Sequence, residues 1–146
     1  MSYVLLTVIA WAAFFWAVRP SEWRQYYPQV LFGALLGTLS DLIGVTTFQW
    51  HYLGPTTAGL SLWSDLGVAP AEAGLFTWSL RRFSRWQWAV WGFWTVGNAL
   101  GEWVFVRRDW IIYGYWRPFK AFLFYVGFFL CLRWHERFLK WLEAKP

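Results

Sequence analysis

The chain has 146 residues, of which 58% are hydrophobic, 25% are aromatic and only 14% are charged. A soluble domain normally carries about 25% charged residues. The composition therefore excludes an ordinary soluble domain and favours an integral membrane protein. The formal net charge of +5 is explained by the orientation of membrane segments, so nucleic acid binding is not expected.

Five apolar segments predict an all-α, polytopic transmembrane helical bundle that forms one integral membrane domain over residues 1–146. The mean hydropathy of +0.32 is modest because the scale scores the 15 Trp and 7 Tyr as polar, although these residues favour the membrane interface. The first apolar run has no basic region before it and is expected to remain as an uncleaved helix. The predicted spans are residues 3–18, 31–52, 62–80, 86–106 and 118–133, followed by an amphipathic tail over 134–146.

The distribution of basic residues predicts a multi-pass protein of the plasma membrane with its N-terminus outside and its C-terminus inside. With five spans, nine Lys and Arg residues lie inside and four lie outside. If the third segment were re-entrant, six would lie inside and seven outside, which the positive-inside rule disfavours. That segment contains Asp65, Pro70 and Glu72, so we expect a kinked or broken helix at the centre of the bundle.

Three carboxylates lie inside apolar segments: Asp41, Glu72 and Glu102. An ionised group at the centre of a membrane costs about 2.5–3.5 kcal/mol on insertion scales, so such groups face protein or a water-filled cavity. If the three acids meet there, they cannot all stay ionised, and at least one is expected to carry a proton. Two interpretations stay open, namely a structural hydrogen-bond network and a ligand or proton site.

A polar stripe on the fourth span predicts which residues share this interior. Asn98 and Glu102 are one helical turn apart, and two tryptophans adjoin them. The candidates for a catalytic role, if there is one, are the three acids. The predicted ligand-binding residues are Asp41, Glu72, Trp91, Trp94, Asn98 and Glu102.

Glycines form one face of the second span together with Asp41. Gly33, Gly37 and Gly44 recur at helical spacing, and Gly33-x-x-x-Gly37 is typical of a surface on which another helix packs closely. The sequence therefore predicts that these three glycines are helix-packing residues and that Asp41 points at protein.

The outer loop after the fourth span carries Arg107, Arg108, Arg117 and Lys120 among several aromatic residues. Basic groups suit anionic headgroups, and Trp and Tyr suit the interface. This loop is expected either to lie on lipid phosphates or to hold an anionic headgroup above the acidic interior.

No metal site and no cofactor are predicted. Cys131 is the only cysteine, and the sequence has no pair of ligands at a spacing typical of a metal site. His51 is expected at the membrane interface, and His135 in the tail is expected to be solvated.

Two local patterns resemble known groups of membrane proteins. The first consists of Glu102, Ile112-x-Gly114, Trp116 and Tyr125 in a chain of five-span size, and it resembles small bacterial membrane proteins of unknown function. The second consists of Asp41, Trp50-x-Tyr52, Pro70-Ala-Glu72 and Phe76 and covers about residues 41–80. It resembles the membrane lycopene cyclase domains of carotenoid synthesis.

The cyclase resemblance implies an activity on an isoprenoid by protonation of a polyene. Those domains show two adjacent acids after the proline, whereas Ala73 follows Glu72 here. Asp41 or Glu102 would have to take the place of the second acid.

These observations lead to three hypotheses. The leading one is a non-catalytic accessory subunit or lipid- or isoprenoid-binding module with an acid-lined pocket in the membrane. The alternatives are an intramembrane enzyme with Glu72 or Glu102 as general acid, and a proton- or cation-coupled carrier that acts as an oligomer. The expected partners are membrane lipid and either a membrane protein or further copies of the chain.

Overall fold

The computed structural model describes residues 2–47, 49–52 and 61–144, and these residues form five α-helices and one small sheet. The all-α class predicted from the sequence is therefore confirmed. Short 3-10 turns precede the second and fourth helices. In chain order the elements are α1 Ser2–Ala17, α2 Trp23–Thr46, β1 Trp50–Tyr52, α3 Ala69–Arg82, α4 Gln87–Arg107, β2 Ile111–Tyr113 and α5 Pro118–Glu143.

The start of the third helical segment is irregular, as its sequence predicts. A π-helical turn, Ser64–Val68, precedes α3, and the N–H of Ala69 bonds to the carbonyl of Ser64 five residues earlier. Pro70 has no N–H to bond the carbonyl four residues before it, which favours a widened turn at this point. The π turn changes the direction of Asp65 relative to the rest of the helix.

The predicted second span, 31–52, is wrong at its end. Helix α2 ends at Thr46, and Trp50–Tyr52 forms β1, which pairs antiparallel with β2. In this register Trp50 lies opposite Tyr113 and Tyr52 lies opposite Ile111. The sheet joins the connection after α2 to the connection after α4, and we call this side of the bundle the sheet end.

The opposite side, which we call the arginine end, is held together by polar contacts among four helices. Arg81 at the end of α3 donates from Nε to Glu136 Oε1 at 2.8 Å and from Nη1 to Gln25 Oε1 at 2.8 Å. Arg133 on α5 donates from Nη2 to Gln87 Oε1, at the start of α4, at 3.0 Å. The starts of α2 and α4 therefore lie beside the end of α3, so α2, α3 and α4 alternate in direction.

Helix α3 lies at the centre of the bundle and packs on α1, α2, α4 and α5. Its residues Ala73, Phe76 and Leu80 form the main core with residues of α5. The core members from α5 are Phe128, Phe129 and Leu132. This central place agrees with the expectation that the irregular segment is covered by protein.

Many large apolar side chains are exposed on the outside of the bundle. Among the described residues 34 large hydrophobic side chains are exposed, whereas 13 hydrophobic residues are buried. Trp16 and Phe93 are 90% and 73% exposed. Soluble monomers rarely present continuous apolar surfaces of this extent to water.

One helical segment of the described chain, Pro20–Thr46, is long and apolar enough to cross a membrane, and α1 supplies a shorter apolar helix, Val4–Ala17. The other predicted spans correspond to helices that do not meet this criterion of length and mean hydropathy.

His135 was expected to be solvated, but the structure places its ring against α2. The imidazole stacks on Phe32 with ring centroids 4.1 Å apart, and Nδ1 is buried without a hydrogen-bond partner among the described residues. Burial lowers the pKa of His135 from its ordinary 6.5, because desolvation disfavours the charged imidazolium.

This burial predicts a loss of stability in acid. The unfolded chain binds the proton more readily than the folded chain, so this contribution is present above about pH 6.5 and is lost as the pH falls below it. We expect the thermal midpoint in detergent to fall less between about pH 7.5 and about pH 5.5 in His135→Phe than in the parent. An equal fall in both proteins would show that another group causes the acid sensitivity.

Candidate functional site

A cavity of about 380 Å³ lies among α2, α3, α4 and α5 near the sheet end. Four of the eight acidic residues of the chain line it. They are Asp41, Asp65, Glu72 and Glu102. Most of the remaining wall is aromatic or small, and a site of this size falls within the range of small-molecule pockets, about 300–1,000 Å³. We call it the acid-lined cavity.

Asp41 and Asp65 form a buried pair. They are 6% and 1% exposed, and their carboxyl groups lie within hydrogen-bonding reach of each other. Asp41 Oδ1 also accepts a hydrogen bond from Tyr52 Oη at 2.7 Å. Oδ2 of each aspartate is buried, and no N–H or O–H donor of the described residues bonds to it. A proton shared between the two carboxyl groups would supply the missing donor.

Glu102 accepts two hydrogen bonds at Oε1. Tyr113 Oη donates at 2.7 Å and Trp116 Nε1 donates at 2.9 Å. Tyr125 from α5 also lies within hydrogen-bonding reach of Glu102 and close to Glu72. Glu72 projects from α3 and is half-buried because its side chain faces the cavity.

The small sheet fixes two of these acids in the same way. Asp41 lies near the end of α2 and Glu102 near the end of α4, and each is bonded by a tyrosine 11 residues later. Tyr52 belongs to β1 and Tyr113 belongs to β2. Pairing of the two strands therefore sets the positions of both acids at once.

The polar stripe predicted on α4 divides between two environments. Trp94, Asn98 and Glu102 line the cavity, and Asn98 Nδ2 donates to the carbonyl of Trp94 at 3.1 Å. Trp91, which was predicted to bind ligand, lies outside the lining and packs on the core around Phe76. It is on the same side of the helix as Asn98 but almost two turns deeper, where core side chains fill the space.

The predicted packing glycines all lie in close contacts. A Cβ at Gly33 would collide with Cβ of Ala73, and a Cβ at Gly37 would lie 2.8 Å from Cβ of Ala69. Both alanines belong to α3. Gly44 instead leaves room for the ring of Trp50 from β1. The glycine face therefore lets α3 and the sheet approach α2.

The four basic residues predicted to meet headgroups are all exposed at the sheet end. Arg107 lies over the ring of Trp103, with its guanidinium carbon 5.1 Å from the ring centroid. Lys120 Nζ donates to the carbonyl of Tyr115 at 2.9 Å. Arg108 and Arg117 are exposed beside them. None of the four basic residues lines the acid-lined cavity.

The cavity has a wall of small residues on α4. Gly97 and Gly101 line it, and a Cβ at either position would meet no atom within 4 Å. Phe93, one turn before Gly97, lines the cavity and is also 73% exposed on the outside of the bundle. Leu6 of α1 is also part of the lining. The cavity therefore reaches the outer surface beside α4.

Within the described residues no group of three or more His, Cys, Asp and Glu side chains is arranged to hold a metal ion. Asp65 faces Asp41, whereas His51 lies in β1.

Comparisons of the chain with protein-family models, with curated proteins and with solved structures give no match.

Five residues of the site were not among the predicted site residues, and they are Tyr52, Asp65, Tyr113, Trp116 and Tyr125. A signal for Asp65 is present in the sequence, because it precedes Glu72 by seven residues, or about two helical turns. The other four are aromatic donors whose acid partners are fixed by the pairing of β1 with β2 and by the packing of α5. Neither contact is visible in the local sequence pattern.

Proposed function

We propose that the chain is a multi-pass protein of the plasma membrane that binds a lipid- or isoprenoid-class molecule in the acid-lined cavity without transforming it. The convergence of four carboxyl groups in one largely apolar cavity carries this proposal. Groups of this kind at membrane depth mark substrate, ion or ligand sites, because their burial is unfavourable without a role.

Five spans are supported by the surface and by the alternation of the helices. Many large apolar side chains are exposed on the outside of the bundle. By chain order, the connections before α2 and after α3 and the end of α5 fall at the arginine end, and all three carry basic residues. Lys145 lies outside the described residues. Trp residues lower the mean hydropathy of α4 although they are favourable at a membrane interface. Under the positive-inside rule, this arrangement favours an outside N-terminus and an inside C-terminus.

The chemistry of the wall favours a ligand with an apolar body and one polar head. The aromatic side chains Trp94, Phe124 and Phe128 offer apolar surface. Asp41 and Glu102 are each held by tyrosine bonds to one oxygen. Fixed groups of this kind suit recognition of a hydroxyl or amine on the ligand.

The route of entry also fits a molecule that is dissolved in the bilayer. The wall at Gly97 and Gly101 has no side chains beyond Cα, and the neighbouring Phe93 reaches the outer apolar surface. A lipid-like molecule could enter beside α4 without crossing water.

Native mass spectrometry of the protein released from a mild detergent tests the proposal. We expect a stoichiometric added mass of a few hundred daltons on the parent. Gly97→Leu should remove it, because the new side chain enters the cavity without deleting any acid. Gly92→Leu is the matched control, since Gly92 lies on the same helix, has open space at its Cβ and does not line the cavity.

The same added mass on both glycine variants would contradict binding in the cavity. A co-purifying protein with no small ligand would favour the accessory-subunit interpretation instead.

A second candidate function is acid catalysis on an isoprenoid, and the Asp41–Asp65 pair specifically favours it. The resemblance to cyclase domains calls for two neighbouring acids, and Asp65 lies within hydrogen-bonding reach of Asp41 although the two are far apart in sequence. A proton held between two buried carboxyl groups beside an apolar cavity is suited to transfer to an apolar substrate. Asp65→Asn separates this function from binding alone, because an amide can donate a hydrogen bond but cannot transfer a proton as a carboxylic acid does.

A further inference from the structure

A second cavity, of about 390 Å³, lies at the arginine end between the end of α3, the start of α4 and the second half of α5. Four cationic side chains and one carboxylate line it. The cations are Arg81, Arg133, Arg137 and Lys140, and the carboxylate is Glu136. We propose that this basic groove binds a phosphate group.

The single carboxylate is already neutralised within the groove. Glu136 is 5% exposed, and its Oε1 lies 2.8 Å from Arg81 Nε and 2.9 Å from Lys140 Nζ. Arg133 and Arg137 therefore add positive charge that no other carboxylate of the lining balances. An anion in the groove would offset this charge.

Arg133 is held in position by two contacts, and one of its N–H donor groups remains unused. Its Nη2 donates to Gln87 Oε1 at 3.0 Å, and its guanidinium carbon lies 4.5 Å above the ring of Trp88. Its Nη1 is buried and has no hydrogen-bond partner among the described residues. Because a buried donor without a partner is unfavourable, a bound acceptor would stabilise this arrangement.

The donor set matches phosphate. Arg133, Arg137 and Lys140 lie on one face of α5 at spacings of four and three residues. Arginine offers two parallel N–H donors to two phosphate oxygens, and lysine adds a compact charge. Ser84 and Gln87 at the start of α4 add neutral polar groups to the same lining.

A lipid phosphate and a soluble phosphate compound would present the same chemistry. Exposed tryptophans around the groove place it at headgroup depth, and they are Trp86, Trp88 and Trp134. In the proposed orientation this end faces the cytoplasm, where anionic lipids concentrate. The assignment to lipid rests on that orientation, whereas phosphate binding rests on the groove alone.

The test uses the full chain in a neutral detergent, with phosphatidylglycerol and phosphatidylcholine as lipid probes and inorganic phosphate as a competitor. Binding is followed by native mass spectrometry. We expect the parent to retain phosphatidylglycerol in preference to phosphatidylcholine. Arg133→Gln and Arg137→Gln should each weaken this binding about tenfold, which corresponds to about 1.4 kcal/mol, because each variant removes one charge-assisted contact.

Arg24→Gln is the control, because Arg24 is exposed at the start of α2 and does not line the groove. Arg137 is itself exposed at the rim, so its variant tests the groove without a change in the core. Displacement of the lipid by inorganic phosphate would indicate a soluble phosphate ligand, and retention would indicate a lipid headgroup.

Two results would overturn the proposal: parental affinity in both arginine variants, or equal binding of the two lipids by the parent together with no competition by inorganic phosphate. Gly97→Leu distinguishes this site from the acid-lined cavity. That variant should lose the interior ligand and still bind phosphatidylglycerol as the parent does.

Discussion

Gly33→Leu is expected to force α2 away from α3 and to lower the free energy of unfolding by about 3 kcal/mol, at the upper end for overpacked sites. A Cβ at this position would collide with Cβ of Ala73 and would lie 3.0 Å from the carbonyl oxygen of Ala69. One of these neighbours is helix backbone, which cannot turn aside as a flexible side chain can. The measurement is unfolding in mixed micelles, followed by circular dichroism.

Gly127→Leu provides the matched control for this substitution. Gly127 lies inside α5, and a Cβ there would meet no atom within 4 Å. Both variants gain about the same helix propensity, up to about 1 kcal/mol, so the difference between them reports packing. Equal stabilities of the two variants would show that α2 and α3 do not approach each other at Gly33.

The sequence predicted one of the two surfaces of this helix contact, namely the glycine face of α2. Gly33-x-x-x-Gly37 indicated a close approach, and the structure shows Ala69 and Ala73 at the same spacing on α3. Small residues four apart on two helices are a local pattern and can be recognised without a structure. The identity of the partner helix could not be predicted, because it depends on how the whole bundle is connected.

The sheet could not be predicted from the sequence for a physical reason. Each strand has three residues, which is too short for an alternating pattern to be distinguished from the end of an apolar helix. The pairing of Trp50 with Tyr113 joins residues that are more than 60 positions apart. The hydrogen bonds from Tyr52 and Tyr113 to the acids depend on this distant pairing, so they were missed as well.

The position of Trp91 shows a different limit. Helical periodicity correctly grouped Trp91 with Asn98 on one side of α4, but periodicity gives no information about depth along the bundle. Near Trp94 this side of the helix faces the cavity, and near Trp91 it faces the core. Only the side chains supplied by α3 and α5 decide where the cavity ends.

Asp65→Leu is expected to destabilise the fold by about 1–3 kcal/mol, whereas Asp65→Asn should remain within about 0.5 kcal/mol of the parent. Leucine leaves a buried oxygen of Asp41 without a partner, because Oδ2 of Asp41 bonds to no other donor of the described residues. Asparagine supplies an N–H donor in place of the shared proton and has nearly the same shape. Unfolding in mixed micelles measures both variants, and equal stabilities would show that the two carboxyl groups do not support each other.

The same asparagine variant separates binding from catalysis, because an amide can donate a hydrogen bond but cannot transfer a proton as a carboxylic acid does. If the acid-lined cavity only binds its ligand, Asp65→Asn should keep the added mass seen by native mass spectrometry. If the Asp41–Asp65 pair protonates an isoprenoid, the variant should keep the bound molecule but fail to convert a polyene substrate that the parent converts. Asp109→Asn, which changes an exposed acid outside the cavity, should behave as the parent in both assays. A parent that converts no polyene leaves binding as the function, and the buried pair then serves to hold Asp41 in place for recognition of the ligand head.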